Sequence, residues 1–196
     1  MDLSDPPHAL ADIEYRRGWL PQGEANALFG HLLEAVPWEV HRIPMFGRWV
    51  DSPRLSCWMG DEDAAYRYSG VRFEPRPWSP ALADVRQRLE AECGARFNSV
   101  LANLYRDGRD AMGWHRDDEP ELGESPLIAS LSLGATRRFL LKDAQSNRHA
   151  IDLSSGDLLL MTGASQRRYR HSLPRTAKAV GARINLTFRR VTPQAR

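Results

Sequence analysis

The sequence predicts a mainly β fold with flanking α-helices, an α+β chain whose strands close into a sandwich or barrel. Three observations carry this reading. Two stretches before residue 95 repeat their apolar residues at helical spacing. After Gly94, short apolar runs follow one another with turn residues between them. One late run alternates polar and apolar residues strictly.

In chain order, "PQGEANALFGHLLEAV" (21–36) sets Leu28, Leu32 and Ala35 on one helical face. The region 38–78, with "VHRIPMFGRWV" and "YRYSGVRFEP", reads as strands or a hairpin with polar, aromatic-rich loops. "SPALADVRQRLEAECG" (79–94) begins with Ser79 as cap and Pro80 at the first helical position. It lines up Leu82, Val85 and Leu89 and stops at Gly94. The strand candidates are 97–105, 127–134, 137–142, 149–153, 157–161 and 183–190, separated by "RDGRD", "DAQSN", "SSG" and "LPRT". The two helices are expected to pack outside the strands.

At 196 residues the chain is expected to be a single domain with one well-buried core. No run of 18 apolar residues occurs, so no membrane span and no membrane partner are expected. The start, "MDLSDPPHALADIEYRR", lacks the apolar stretch of a signal peptide. Cys57 and Cys93 are the only cysteines and form no metal-type pair, which points to a reducing, cytoplasmic setting. Net charge is only +2, but residues 137–196 hold 13 Lys/Arg against 3 Asp/Glu, a local net of +10 that leaves −8 for the first 136. That asymmetry points toward a polyanionic partner, against the plainer reading of a solvated basic face.

"GWHRDDEPEL" (113–122) crowds His115, Asp117, Asp118, Glu119 and Glu121 together. Such a cluster costs stability unless it is solvated or neutralised by a cation. On an extended segment His115 and Asp117 point to the same side, so both can reach one ion. Two histidines and one carboxylate make the facial triad of non-haem Fe(II) sites. A distant histidine would have to complete the set. His149, in "SNRHAIDL", reads as solvent-facing, and His171, in "RYRHSLP", ends a strand candidate.

In "RINLTFR" (183–189), Arg183, Asn185, Thr187 and Arg189 share one face and Ile184, Leu186 and Phe188 the other. The plain reading is a half-buried strand whose polar face meets water. The two arginines lie roughly 20 Å apart at about 3.3 Å per residue, and could instead converge on a small dianion across the strand. In "LANLYRDG", Asn103 and Tyr105 share a face and could add neutral donors.

The order Asn103-x-Tyr105, His115-x-Asp117, His171, Arg183-x-Asn185-x-Thr187-x-Arg189 resembles the AlkB family of Fe(II)/2-oxoglutarate-dependent oxygenases that repair alkylated nucleic acid. "NLYRDGRDAMGWHRDDEPEL", "IASLSLGATRRF" and "HSLP…RINLTFR" look most like its vertebrate nuclear DNA-repair branch. The resemblance covers most of the chain and is densest from Asn98 to Val191.

The resemblance implies a double-stranded β-helix, a jelly-roll-like core, over residues 97–191. Residues 1–96 would carry the helices, a nucleotide-recognition hairpin and a lid. It implies that His115, Asp117 and His171 bind Fe(II), and that Asn103, Tyr105, Arg183, Asn185, Thr187 and Arg189 hold 2-oxoglutarate. Asp118 would face the substrate base, accepting from an exocyclic amine. Glu119 and Glu121 read as solvated. "MFGRW" resembles the family's probing hairpin, with Phe46 as wedge beside Gly47 and Arg48. "YRYSG" resembles its lid, with Tyr68 stacking on a flipped base and Tyr66 lining the pocket. Phenylalanine also occurs in the family at the position of Tyr68. Arg167, Arg168, Arg170, Arg175 and Lys178 would meet phosphates.

The implied reaction uses Fe(II), 2-oxoglutarate and O2 to demethylate 1-methyladenine or 3-methylcytosine in DNA, releasing formaldehyde, succinate and CO2. A monomer acting on single- or double-stranded DNA is expected. The rival readings are the same oxygenase core acting on RNA, a protein or a small molecule, a silent nucleic-acid-binding module, and a zinc hydrolase that would leave the two-arginine strand without a role.

Overall fold

A computed structural model describes residues 10–45, 47–64, 66–68 and 71–192. Its first elements are β1 (Ile13–Arg16), α1 (Gln22–Ala35), β2 (Arg42–Met45), β3 (Arg48–Asp51) and β4 (Leu55–Gly60). Then come β5 (Tyr66–Tyr68), β6 (Val71–Phe73), α2 (Pro80–Cys93), β7 (Ser99–Tyr105) and β8 (Met112–His115). The second half supplies β9 (Ile128–Gly134), β10 (Arg137–Lys142), β11 (Arg148–Leu153) and β12 (Leu158–Met161). A short α3 (Ser165–Arg168) precedes β13 (Arg170–Leu173) and β14 (Arg183–Arg189).

Two antiparallel sheets face each other, the jelly-roll arrangement expected. The larger runs β1-β12-β9-β14-β7-β4 and the smaller β11-β10-β13-β8. β2–β3 and β5–β6 form separate two-stranded ribbons.

Alternation along the central strands sorts the two faces of the larger sheet. Val100, Ala102, Leu104, Ala129, Leu131, Leu133, Ile184, Leu186 and Phe188 form one cluster with Leu32 of α1 and Leu82, Val85 and Leu89 of α2. The helices therefore seal the outer face. The opposite face points at the smaller sheet, where Ile128, Leu159 and Met161 meet Phe139, Leu141, Ile151 and Leu153. The polar face of β14 thus turns inward toward the smaller sheet: Arg183, Thr187 and Arg189 are buried and Asn185 is half-buried.

Helix α2 follows its sequence signals. Ser79 Oγ accepts from the Leu82 amide at 3.4 Å, Pro80 opens the helix, and Gly94 closes it with a left-handed φ of 61°. Helix α1 is rotated from the expected face: Ala25 and Leu32 are buried, Leu28 is half-buried, and Ala35 is exposed. Val36, just past the helix, fills the core position expected of Ala35. Strand β1 was not legible in the sequence. It adds to the sheet by pairing with β12, and its Tyr15 hydroxyl donates to Asp157 at 2.7 Å.

The turn into β12 fastens the N-terminal segment to the sheet. The Leu20 amide donates to the Gly156 carbonyl at 2.9 Å, and the Gly156 amide donates to the Ser132 carbonyl at 2.8 Å. Gly156 has φ of 88°, and a Cβ there would sit 2.2 Å from the Leu20 carbonyl oxygen. Backbone meets backbone, so neither can yield cheaply. Gly156→Ala is expected to cost about 2–3 kcal/mol, the scale of a strained backbone position, read as a lower denaturation midpoint at unchanged slope.

Candidate metal and co-substrate site

His115 is the last residue of β8, at one edge of the smaller sheet, and His171 lies directly opposite it on β13. The ladder is irregular between His171 and Leu173. The two imidazoles meet edge to face with centroids 4.1 Å apart. Asp117 follows on the extended segment beyond β8, its Oδ1 3.8 Å from His115 Nε2. One ligand-capable atom from each of the three residues falls within 4.8 Å of the others. The three widely separated residues expected to meet do meet.

The surroundings prepare these groups for a cation. His115 Nδ1 lies 2.8 Å from the Gly113 carbonyl, so its proton sits there and Nε2 keeps a free lone pair. Burial lowers the His115 imidazole below its usual range. Burial, with the His115 neighbour adding, pushes His171 down to about 3. Both rings are therefore neutral near pH 7, the form that ligates metal. Phe139 stacks on His171 at 5.4 Å, and His171 Nδ1 is buried without a hydrogen-bond partner.

Asp117 is buried, which by itself raises a carboxyl. The Arg189 guanidinium outweighs that, with the imidazoles helping, and holds it down at about 2. Arg189 Nη2 donates to Asp117 Oδ2 at 2.8 Å. The Asp117 amide donates to Gln166 Oε1 at 3.0 Å. Gln166 itself is buried in α3, its amide nitrogen 3.3 Å from Ser165 Oγ.

Between the sheets lies a cavity of about 470 Å³, solvent at its mouth included. All nine residues expected to hold metal and co-substrate line it: Asn103, Tyr105, His115, Asp117, His171, Arg183, Asn185, Thr187 and Arg189. Leu101, Met112, Phe139, Met161 and Leu173 make its apolar wall.

The polar side chains are locked in place. Asn185 Nδ2 donates to Ser130 Oγ at 2.8 Å and Thr187 Oγ1 to Asn185 Oδ1 at 3.0 Å. Arg183 Nη2 donates to Ser132 Oγ at 2.8 Å, and its guanidinium lies 5.4 Å from the Tyr105 ring centroid. Burial lowers Arg183 to about 10, which leaves it cationic at neutral pH. Among the described residues no carboxylate pairs with it, and its Nε is buried without a partner. A buried cation lacking a counter-ion, beside neutral donors, fits a small carboxylate.

Several contributors were not foreseen. Ser130 and Ser132 alternate with apolar residues in "IASLSLG", so their shared inward face was legible. Arg54 and Gln166 gave no signal, because Arg54 reaches the site from a connecting segment and Gln166 from the single turn of α3. Arg54 Nε donates to Asn103 Oδ1 at 2.7 Å and its Nη1 to Ser52 Oγ at 3.0 Å.

The residues expected to face a base are placed as follows. Asp118 is exposed, immediately beyond Asp117. Glu119 and Glu121, read as solvated, are instead half-buried, because the 3-10 turn Pro120–Leu122 folds Leu122 into a small core with Trp58 and Val191. Gly47 turns the β2–β3 hairpin with φ of 74°, and Arg48 is exposed beside it. Phe46 lies outside the described residues. Tyr66 and Tyr68 are the first and last residues of β5, which pairs with β6. Among the cations expected at phosphates, Arg168 pairs with Asp12 at 3.2 Å and Arg167 donates to the Glu124 carbonyl, whereas Arg175 and Lys178 are exposed. His149 is half-buried, edge-on to Tyr169 at 6.5 Å, and is not among the residues lining the cavity.

Comparison with known proteins adds four findings. The profile of the 2OG-Fe(II) oxygenase superfamily matches residues 12–189. Human alpha-ketoglutarate-dependent dioxygenase alkB homolog 3 is 36% identical over 206 residues, covering 100% of this chain and 71% of its own length. Human DNA oxidative demethylase ALKBH2 is 38% identical over 182 residues, covering 87% and 70% respectively. The solved structure of OsALKBH1 superposes with a TM-score of 0.64 at 18% identity, covering 93% of this chain and 100% of that one, which supports the fold.

Two outcomes follow from the geometry. Arg189→Met leaves the Asp117 carboxylate buried and unpaired, so its pKa rises and the protein loses about 3–5 kcal/mol near neutral pH. Denaturant unfolding at pH 5 and pH 7 checks this, since the loss shrinks as the carboxyl takes up a proton. Gln166→Leu frees the backbone beneath Asp117 and is expected to weaken Co(II) binding by about tenfold, read by visible absorption titration.

Proposed function

The chain belongs to the 2OG-Fe(II) oxygenase superfamily, and on that basis we propose that it is an oxidative demethylase of N-alkylated bases in DNA. Members of the superfamily are dioxygenases that use Fe(II), 2-oxoglutarate and O2. The observation that carries the proposal is the pairing of a complete His-Asp-His and two-arginine cavity with 38% identity to a DNA oxidative demethylase over 87% of the chain.

In this reading His115, Asp117 and His171 hold Fe(II). Arg183, Asn185, Thr187, Asn103 and Tyr105 hold 2-oxoglutarate, with Arg189 shared between that anion and Asp117. Together with O2 the bound pair supplies an oxidant that hydroxylates an N-methyl group, the keto acid leaving as succinate and CO2 and the methyl as formaldehyde. The chain's own work is binding, orientation and exclusion of water. Ser130 and Ser132 fix the polar donors before any ligand arrives, so little ordering cost remains at binding. Leu101, Met112 and Phe139 keep the reacting end of the cavity apolar.

Reaching a base inside this cavity requires taking it out of its stack. The β2–β3 hairpin, with Gly47 and Arg48 at its turn, is assigned to the gap left behind, and Phe46, the residue before Gly47 in the chain, is assigned as its wedge. Tyr66 and Tyr68 are assigned to the extruded base, and Asp118 to an exocyclic amine of 1-methyladenine or 3-methylcytosine.

The test is formaldehyde and succinate release from oligonucleotides carrying 1-methyladenine or 3-methylcytosine, as single-stranded DNA, duplex DNA and RNA. Iron-dependent turnover of the DNA is expected, and His171→Ala brings it to background. Asp118→Ala lowers kcat/KM on the base by about tenfold, within the ~1–3 kcal/mol of a good base contact, while substrate-free turnover of 2-oxoglutarate persists. Turnover of RNA in preference to DNA, or of neither, contradicts the proposal.

A further inference from the structure

The smaller sheet has a second face, directed away from the cavity. Lys142 on β10 stands opposite both Arg148 on β11 and Arg170 on β13. Leu141 and His171, the neighbours of Lys142 and Arg170, point inward, so these three cations form one row across the outer face. Neighbouring strands lie about 4.8 Å apart, and the row therefore spans roughly 10 Å. Arg148 and Arg170 are exposed and Lys142 is half-buried.

Trp114, beside His115 on the edge strand β8, organises the row. Lys142 Nζ lies 4.9 Å and the Arg148 guanidinium 6.0 Å from its ring centroid. Arg170 Nη2 donates to the Trp114 carbonyl at 3.0 Å. The ring and the carbonyl hold three long side chains in place without neutralising them. Among the described residues none of the three forms an ion pair, whereas the next charged pair on the same face, Arg138 and Asp152, is neutralised at 2.8 Å. The acid in the intervening turn, Asp143, is engaged by the Asn147 amide groups at 2.8 and 2.9 Å. Like charges placed directly opposite on a sheet repel, so the free protein carries a standing repulsion that an external polyanion would relieve.

We propose that Arg148, Lys142 and Arg170 form a phosphate track that receives the nucleic-acid backbone where it continues past the target nucleotide and around the β8 edge. The inference rests on the nucleic-acid reading of the cavity and extends it to a surface. Regularly spaced fixed cations suit a regularly charged phosphodiester chain. The Trp114 ring, already occupied by two cations, is a brace and not a platform for stacking bases.

The experiment compares the parent protein with Lys142→Gln/Arg148→Gln on a methylated single-stranded 15-mer and on a methylated trinucleotide, which is too short to turn the edge. Binding of the 15-mer is measured across a salt series. In the double variant the 15-mer binds more weakly and the slope of log affinity against log salt becomes shallower by about 1.4, 0.7 for each lost phosphate contact. Turnover of the trinucleotide is retained. The charge-conserving Lys142→Arg/Arg148→Lys keeps the parent slope, which separates charge from folding. An unchanged slope in the double variant overturns the track. Equal losses on the 15-mer and the trinucleotide also overturn it, placing the residues' effect at the cavity. A parent protein that binds the 15-mer with the expected slope but demethylates nothing refutes the demethylase reading and leaves the track standing.

Discussion

The contact between Arg189 and Asp117 is the constraint on which the rest of the site depends. It joins the last residue of β14, in the larger sheet, to the segment leaving β8, in the smaller one. Both side chains are buried, so either alone would carry an uncompensated charge. Together they keep a carboxylate ionised at a depth where burial favours its acid form. Arg183, at the other end of the same strand, has no such acid among the described residues and stays cationic. One strand therefore presents a neutralised arginine beside the metal ligands and an unneutralised one farther along. That difference gives the cavity a direction.

The helices make this possible. β14 is amphipathic by strict alternation, and a solvated polar face would have been its ordinary fate. α1 and α2 cover the apolar side, and the smaller sheet closes over the polar side. Neither face is left on the open surface. Hydrogen bonds from Asn185 and Arg183 to the serines of β9, and from Thr187 to Asn185, fix the geometry of the polar stripe, while the burial of Arg183 without an acid is a cost that a bound anion would offset.

Much of this was legible in the chain. The strand from Arg137 to Lys142 has its expected bounds, and Ser79, Pro80 and Gly94 mark α2 as local chemistry requires. His115 and Asp117 were legible as a pair because a two-residue spacing on extended chain fixes the side they face. His171 needed the family resemblance, since nothing local distinguishes it from a buried structural histidine. β1 was missed because four residues of mixed polarity acquire their strand character only from pairing with β12. Ala35 gave up its expected core place to Val36 because alanine contributes too little to a helix face for spacing to set its rotation. Arg54 and Gln166 were invisible for a different reason: long polar side chains reach the site from segments whose position is decided by tertiary packing.

Among the described residues β8 has a single strand neighbour, β13, and their ladder is interrupted just past His171. A strand so placed frays more readily than one flanked on both sides. An ion shared by His115, Asp117 and His171 would act as a rivet through this margin, fastening the outermost strand to the next one in. Loaded and empty protein would then differ in how much this rim breathes. Trp114, on the reverse of the same strand, would move with it, so occupancy of the interior would be felt on the outside of the barrel wall.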